Sequence, residues 1–485
     1  MRQLMVHCAM SRCHTPLTDQ ETVYSTLGGI FWWPGRSIGM KATNLLMYSI
    51  AIALVNLAVI PPGQALDTGN LAQPSLERIQ QQVEDRAQRQ VEQHIERRSE
   101  RALQAIQDRL PQSPTDLPDR LPILSADGSE AFADVRVEHG WRAVERQWLA
   151  MLAPGELQQL KQPGIHIIDT TPLEQLDLRV VRFRVDKALD SREALSRILP
   201  PSLVERLDRN HIYSPQGEES ATGGNNMPST SHSCDTPVTV GMVDTAIQAD
   251  HPSLAEAHII QKRFLGNTPL ADRFRAPRGH GTAVASLLVG RLPERDGIPL
   301  AGATLLNASV FFSREQLASG ATLLHLVKGL NWLVSQQVDV INISMAGPDN
   351  RLLATVVDRL NAAGVPLVAA VGNRGPAAPP LYPAAYPGVI GVTAVDRAHR
   401  IYRWANQGDQ VDFAAAGVDV SVAESGGGFT ALSGTSMATP VVTARLACQL
   451  AGSSASLPEI LDHLAAQALD LGKTGRDPVF GYGAL

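Results

Sequence analysis

The chain has 485 residues, 44% of them hydrophobic and 19% charged, a balance that excludes a disordered or collagen-like polymer and allows roughly two to four folded domains. Lys and Arg number 42 against 48 Asp and Glu, so the net charge of −6 supplies no overall positive field for nucleic acid. The four cysteines, at positions 8, 13, 234 and 448, show neither CxxC pairs nor Cys/His zinc-ligand spacing, which disfavours both a disulfide scaffold and a zinc site.

The first feature along the chain is LLMYSIAIALVNLAVI, the uncharged apolar run 45–60. As a helix it reaches only about 24 Å, short of a membrane core of about 30 Å. Lys41 precedes it, and Gly63 and Ala65 are small residues suited to a cleavage after Ala65. Residues 40–65 therefore read as a secretory signal peptide, with Met40 the expected initiator and residues 1–39 an upstream extension. The alternative is an uncleaved anchor, with residues 1–39 inside the cell and the remainder outside. In either case the run 45–60 is the expected membrane contact, and the protein is expected to be exported, to the periplasm or the medium.

Residues 66–134 follow as a charged helix and a linker. Apolar side chains recur at helical spacing from Leu76 to Leu110, with seven acidic and seven basic residues on the other faces, and the Pro-rich PQSPTDLPDRLP closes the segment. In residues 135–215 the helical patterns WRAVERQWLAML and SREALSRIL alternate with the strand-like LRVVRFRV and VERLDRNHIYSP, which predicts a small α+β unit. Residues 216–236, including GEESATGGNNMPSTSHSCD, have almost nothing to bury and form a linker of the kind proteases cut. From 237 to 485 the apolar runs VTVGMVD, LLNASVFF, VDVINIS and VPLVAAVG alternate with helical segments, predicting a doubly wound, mostly parallel α/β sheet.

Four short motifs in that last region place a reactive group at a strand end or a helix start. VTVGMVDTA ends a strand at Asp244, RGHGTAVASLL opens a helix at His280, VPLVAAVGNRGP ends a strand at Asn373, and LSGTSMATP sets Ser436 at a Gly-to-helix junction. Taken singly, Asp244 reads as a turn or cap, His280 as unremarkable, Asn373 as a left-handed turn residue after a glycine, and Ser436 as an N-cap with Pro440 in the first turn. Together they supply a nucleophile, a base to take its proton, a carboxylate to orient that base, and an amide to donate to an oxyanion.

The order Asp, His, Asn, Ser within D-T-x, HGT and GTSMATP resembles the subtilisin-like serine proteases, the subtilases, over residues 237–485. The resemblance implies a subtilisin-like fold in which Asp244 orients, His280 acts as general base and then acid, Ser436 attacks, and Asn373 with the Ser436 N–H binds the oxyanion. It implies polypeptide substrates and no cofactor for the chemistry. Residues 135–215 resemble the family's inhibitory pro-domain, with DRNHIYSP as the tail that lies in the substrate cleft, so the chain's own amino-terminal unit is an expected partner. Substrate is expected to pair with Ser344, Met345 and Ala346 on one side and Gly320 on the other. Leu381, where many relatives carry a small residue, is expected either to fill the base of the primary pocket or to turn into the core.

The pattern departs from relatives at Ala246, Ala283 and Val441, which carry no proton in the mechanism. Relatives often bind calcium after the histidine helix, but VGRLPERDGIPLAG offers only Glu294 and Asp296 beside two arginines, so no metal is expected there. Cys234 is expected exposed and Cys448 buried, without pairing. The leading expectation is an exported serine endopeptidase made as a zymogen. The alternative is a catalytically silent peptide-binding protein with the same fold.

Overall fold

The computed structural model describes residues 117–215, 218–219, 234–265, 277–293, 295–314 and 319–485. The signal-like segment 40–65, the apolar run 45–60 and the helix 76–110 lie outside the described residues. Among the described residues no helix is long and apolar enough to cross a membrane.

The amino-terminal region is built on an antiparallel sheet of six strands: β1 (Arg120–Leu124), β2 (Glu130–Arg136), β3 (Arg142–Met151), β4 (Ile165–Leu173), β5 (Leu178–Val185) and β6 (Leu207–Pro215). Central β3 pairs with β2, β5 and β6, and β5 carries β4 on its far side. Two one-turn helices, α1 (Arg192–Leu195) and α2 (Pro201–Val204), cover one face, where Trp148, Val181, Phe183, Leu195, Leu203 and Leu207 form a core. The unit thus begins near residue 120, not 135, because RLPIL and EAFADVR pair as a hairpin on the same sheet.

WRAVERQWLAML is strand β3 rather than the predicted helix. Trp148, Leu149 and Ala150 are all buried because both faces of the sheet are covered, so the alternation that marks a half-exposed strand is lost. Arg146 at φ 57° also breaks the period in mid-strand, next to the register shift between β3 and β6.

After the two-residue β7 (Glu218–Glu219) and β8 (Val238–Asp244), β9 (His258–Arg263) precedes helix α3 (Gly279–Val289). Then come β10 (Ala303–Ser309), β11 (Phe312–Ser313), β12 (Ser319–Thr322), α4 (Leu323–Ser335), β13 (Val340–Ile343), β14 (Met345–Ala346), α5 (Arg351–Ala362) and β15 (Leu367–Ala370). The chain ends with β16 (Val389–Val395), β17 (Phe413–Ala416), β18 (Val420–Ala423), β19 (Phe429–Ser433), α6 (Thr435–Leu450) and α7 (Leu457–Gln467).

Seven of these strands form a parallel sheet in the order β17-β16-β15-β13-β8-β10-β9. Successive side chains on each strand serve opposite faces. Val240, Met242 and Val368 pack with α3 and α6, whereas Val243, Ile341 and Leu367 pack with α4 and α5. The doubly wound α/β architecture expected from the apolar runs is the one observed.

The amino-terminal sheet turns its second face to α4 and α5, where Leu149, Leu173, Leu176 and Val180 join the core containing Leu326 and Leu353. Two side chains of β6, two residues apart and hence on the same side, accept from buried N–H groups in the first turns of these helices. Asn210 Oδ1 accepts from Leu324 N at 3.1 Å, and Asp208 Oδ2 accepts from Leu352 N at 2.7 Å. Burial raises the Asp208 carboxyl above its ordinary range.

Cys234 is buried, not exposed, its backbone tied to Pro299 O, and it lies in the core that Cys448 packs against. Burial pushes the Cys448 thiol up to about 11, with a hydrogen bond to Cys234 adding to the effect. Both thiols are free.

Trp148 shows how the amino-terminal core is specified. It is 2% exposed, donates Nε1–H to Asp190 Oδ1 at 3.1 Å, and carries the Arg209 guanidinium 4.5 Å above its ring. Trp148→Ala should cost about 3–5 kcal/mol of the stability of this unit, read as a lower urea midpoint for an amino-terminal fluorescence or proteolysis transition. A midpoint unchanged within error would show that the indole is not part of the core.

Candidate active site

Asp244 is the last residue of β8 and stands opposite Ser309 of β10, at the carboxyl edge of the parallel sheet. Its Oδ1 accepts from Thr245 N at 2.6 Å and faces His280 Nδ1 at 2.7 Å. The Asp244 side chain is 1% exposed and that of His280 11%. A carboxylate only accepts, so Nδ1 carries the hydrogen and the basic lone pair is on Nε2.

His280 is the second residue of α3, and Gly281 explains how the helix comes this close. A Cβ at 281 would stand 2.5 Å from Thr245 O, while the Gly281 N–H donates to Thr245 Oγ1 at 2.7 Å. The glycine of HGT is thus a packing requirement between helix and strand end.

Ser436 is the second residue of α6, fully buried, after Gly434 at φ 152°. Such a φ favours glycine and turns the chain sharply from β19 into the helix. Near their starts α3 and α6 share one core through Val284 and Ala438. His280 Nε2 and Ser436 Oγ are both buried, and neither has a hydrogen-bond partner among the described residues.

Pro440 lies in the second turn of α6, not the first. Its missing N–H is the one that would bond the Ser436 carbonyl, and that carbonyl instead accepts from Ser344 Oγ at 3.2 Å. Ser344 in turn accepts from Asn342 Nδ2 at 3.0 Å. A proline that would disrupt an isolated helix here frees an acceptor that ties the Ser436 backbone to the end of β13.

Asn373 follows β15, and the residue at positive φ is Gly372 (105°) rather than Asn373. Its Oδ1 accepts from Thr435 N at 3.1 Å and from Thr435 Oγ1 at 3.0 Å. The backbone N–H can only donate, which fixes the oxygen on that side and turns the NH2 group away from Thr435. Thr435 is the residue sequence reasoning missed; the threonine of GTS was its only signal. Arg374, next in the chain, stacks on Trp141 of the amino-terminal unit with Cζ 4.2 Å from the ring centroid, and burial lowers its pKa.

β12 and β14, the strands that carry Gly320, Met345 and Ala346, both pair with β6. Ile212 and Tyr213 pair with Thr322 and Ala321 of β12, beside Gly320, and Ser214 and Pro215 pair with Ala346 and Met345 of β14. The end of β6 is therefore the middle strand of an antiparallel set. Tyr213 is fully buried, donating to Pro348 O at 3.0 Å, and its ring lies where a Cβ on Gly347 would be, 2.3 Å from the nearest ring carbon. Leu381 is 1% exposed and sits against Gly372, with Cδ1 2.4 Å from the site of a Cβ there.

In the loop after α3, the buried Arg295 donates to Ser286 O at 3.1 Å, Leu287 O at 3.1 Å and Gly290 O at 2.7 Å. Burial brings its pKa down to about 10. These three carbonyls thus already accept from a guanidinium.

A sequence profile of the subtilase family matches residues 235–483. The chain belongs to the subtilase family of serine peptidases. It is 32% identical to subtilisin DY of Bacillus licheniformis over 244 residues, 48% of this chain and 85% of that one. It is 31% identical to the minor extracellular protease Epr of Bacillus subtilis (strain 168) over 216 residues, 44% of this chain but only 33% of Epr. Among solved structures, fervidolysin from Fervidobacterium pennivorans, a keratinolytic enzyme related to subtilisin, superposes with a TM-score of 0.59 at 19% identity. That likeness of fold covers 78% of this chain and 64% of fervidolysin, and so reaches into the residues ahead of 235.

The Ser344 contact has a measurable consequence. Ser344→Ala leaves the Ser436 carbonyl buried without its donor, and unfolding free energy from urea titration should fall by about 1–3 kcal/mol. No loss would mean that the carbonyl is satisfied in another way.

Proposed function

We propose that the protein is an exported serine endopeptidase made as a zymogen. The observation that carries the catalytic reading is the 2.7 Å contact of His280 Nδ1 with buried Asp244, which leaves Nε2 as the base. His280 would take the Ser436 proton as Oγ attacks the scissile carbonyl, then return it to the leaving amine, and water would release the acyl-enzyme. The oxyanion would accept from Asn373 Nδ2 and the Ser436 N–H. No cofactor is required, because nucleophile, base and electrostatic stabilisation all come from side chains and backbone.

The zymogen reading is supported by the pairing of residues 212–215 with β12 and β14, which occupies the edges an extended substrate would use. Cutting in the linker 216–236 would release the amino-terminal unit, itself an intramolecular inhibitor until then. The signal-like residues 40–65 and the extracellular relative Epr support export. In this reading Ser344, Met345, Ala346 and Gly320 flank the substrate strand, and Leu381, packed over Gly372 beside Asn373, limits the depth of the primary pocket.

Ser436→Ala should abolish both peptide hydrolysis and labelling by a fluorophosphonate while the protein still folds. A folded Ser436→Ala protein that hydrolyses peptide at the parent rate overturns the triad. Asn373→Ala should lower kcat by about 10²–10³ with KM little changed; a rise in KM alone would give Asn373 a binding role instead. In a host lacking other proteases, the Ser436→Ala protein should accumulate uncut, whereas the parent loses everything up to a site between Tyr213 and Thr236. Identical trimming of both proteins would show that maturation is not self-processing.

A further inference from the structure

We propose that Arg314 is a specificity residue that takes an acidic side chain of the substrate, at the position Ile212 holds in the uncut chain. The proposal rests on the zymogen reading above. Arg314 follows β11 in the catalytic region and is 1% exposed. Its Nε lies 2.9 Å from Asp134 Oδ2, and Asp134, itself wholly buried, belongs to β2 of the amino-terminal unit. The other carboxylate oxygen is taken by Arg142 Nε at 2.7 Å, also from that unit. Among the described residues no carboxylate of the catalytic region pairs with Arg314. Among the described residues its counter-charge comes from Asp134, in the part that maturation would remove.

The guanidinium is set directly against the strand that borders the substrate. A Cβ on Gly320 would stand 2.6 Å from Arg314 Nε, 2.7 Å from its Nη2 and 2.8 Å from Ile212 Cγ2. Arg314 and the Ile212 side chain therefore meet over one backbone position of β12, and glycine is there because no side chain fits between them. Ile212 pairs with Thr322, so any peptide entering in the register of residues 212–215 brings its own side chain to this point. The present cover is apolar: Leu121, Ile123 and Val144 of the amino-terminal unit pack with Ile212, Leu265 and Phe312, and Phe132 meets Phe312 edge-on at 5.1 Å.

When the amino-terminal unit leaves, Asp134, Arg142 and this cover depart together, while Arg314 stays attached to β11. A guanidinium held against a strand, with its carboxylate gone, is matched by a new carboxylate and repels a cation. Asp or Glu at the Ile212 position would restore the pair that Asp134 makes in the uncut chain. Lys or Arg there would place two cations together over Gly320.

The test uses the full chain, allowed to process and freed of its cleaved amino-terminal unit, with quenched peptides of sequence RNHIYSPQGEES and versions carrying Glu, Gln or Lys in place of the isoleucine. The expected order in kcat/KM is Glu above Gln above Lys, with Glu over Gln by roughly tenfold or more. In Arg314→Gln, made together with Asp134→Asn so that both partners of the interface pair are changed at once, the Glu-to-Gln ratio should fall below about twofold. Should that double variant fail to mature, the parent still decides the matter through salt, since an ionic preference shrinks between low and high ionic strength. Equal cleavage of the Glu and Gln peptides by the parent, or a Glu preference kept in the double variant, overturns the role of Arg314. Failure to cut any peptide, the isoleucine parent included, overturns the endopeptidase reading and this proposal with it.

Discussion

The register of the parallel sheet is the constraint from which the site follows. β8 lies between β13 and β10, and its pairing with them fixes Asp244 at the carboxyl edge. Ser344 and Asn373 also lie just beyond strand ends on that edge, after β13 and β15 respectively. Open α/β sheets gather functional groups at this edge because every connection there leaves from a strand whose position is already set by two neighbours. The two helix starts, at His280 and Ser436, are then drawn in by the core that α3 and α6 share with Val240 and Met242.

Backbone exceptions at that edge do most of the fine positioning. Gly281 lets α3 rest on the Thr245 carbonyl, Gly434 turns β19 into α6, and Pro440 releases the Ser436 carbonyl to Ser344. Each would weaken a regular element elsewhere, since glycine and proline are poor residues inside helices. Here each substitutes a contact between elements for one within an element. Ser436 is thereby tied to β13 and, through Thr435 and Asn373, to the turn after β15.

The groups of the candidate site were legible because each stands in an unbroken run of local signals: an apolar strand ending in Asp244, a glycine pair around His280, a Gly-to-helix junction at Ser436. The parallel sheet was legible for the same reason, as its strands are buried on both faces and read as continuous apolar runs. That same property misled in the amino-terminal unit, where a strand covered on both sides, β3, carries an apolar pattern a helix could share. The turn at Asn373 was assigned to the wrong residue, since a Gly-Asn pair allows either to take positive φ and only the fold puts it on Gly372. Asp134, Arg142 and Arg314 left no trace at all. Charged residues are usually solvated, and nothing local marks Asp134 and Arg142, or the distant Arg314, as buried together.

Burying those charges is costly unless each is paired, so Asp134 between two guanidiniums specifies one docking geometry more than it adds stability. The apolar contacts with α4 and α5 and the bonds from Asp208 and Asn210 set where the amino-terminal unit sits, and the ion cluster sets how its outer hairpin meets β11 and β12. While the chain is continuous, residues 212–215 are held between β12 and β14 at the high effective concentration of a tether. On the proposed zymogen reading, a cut beyond Pro215 would remove the tether without breaking one of these contacts. Release would then depend on the balance between the docked apolar face, which favours staying, and the buried charges, which regain water on separation. The charge on Arg314 is the part of that balance which a departing unit would not take with it.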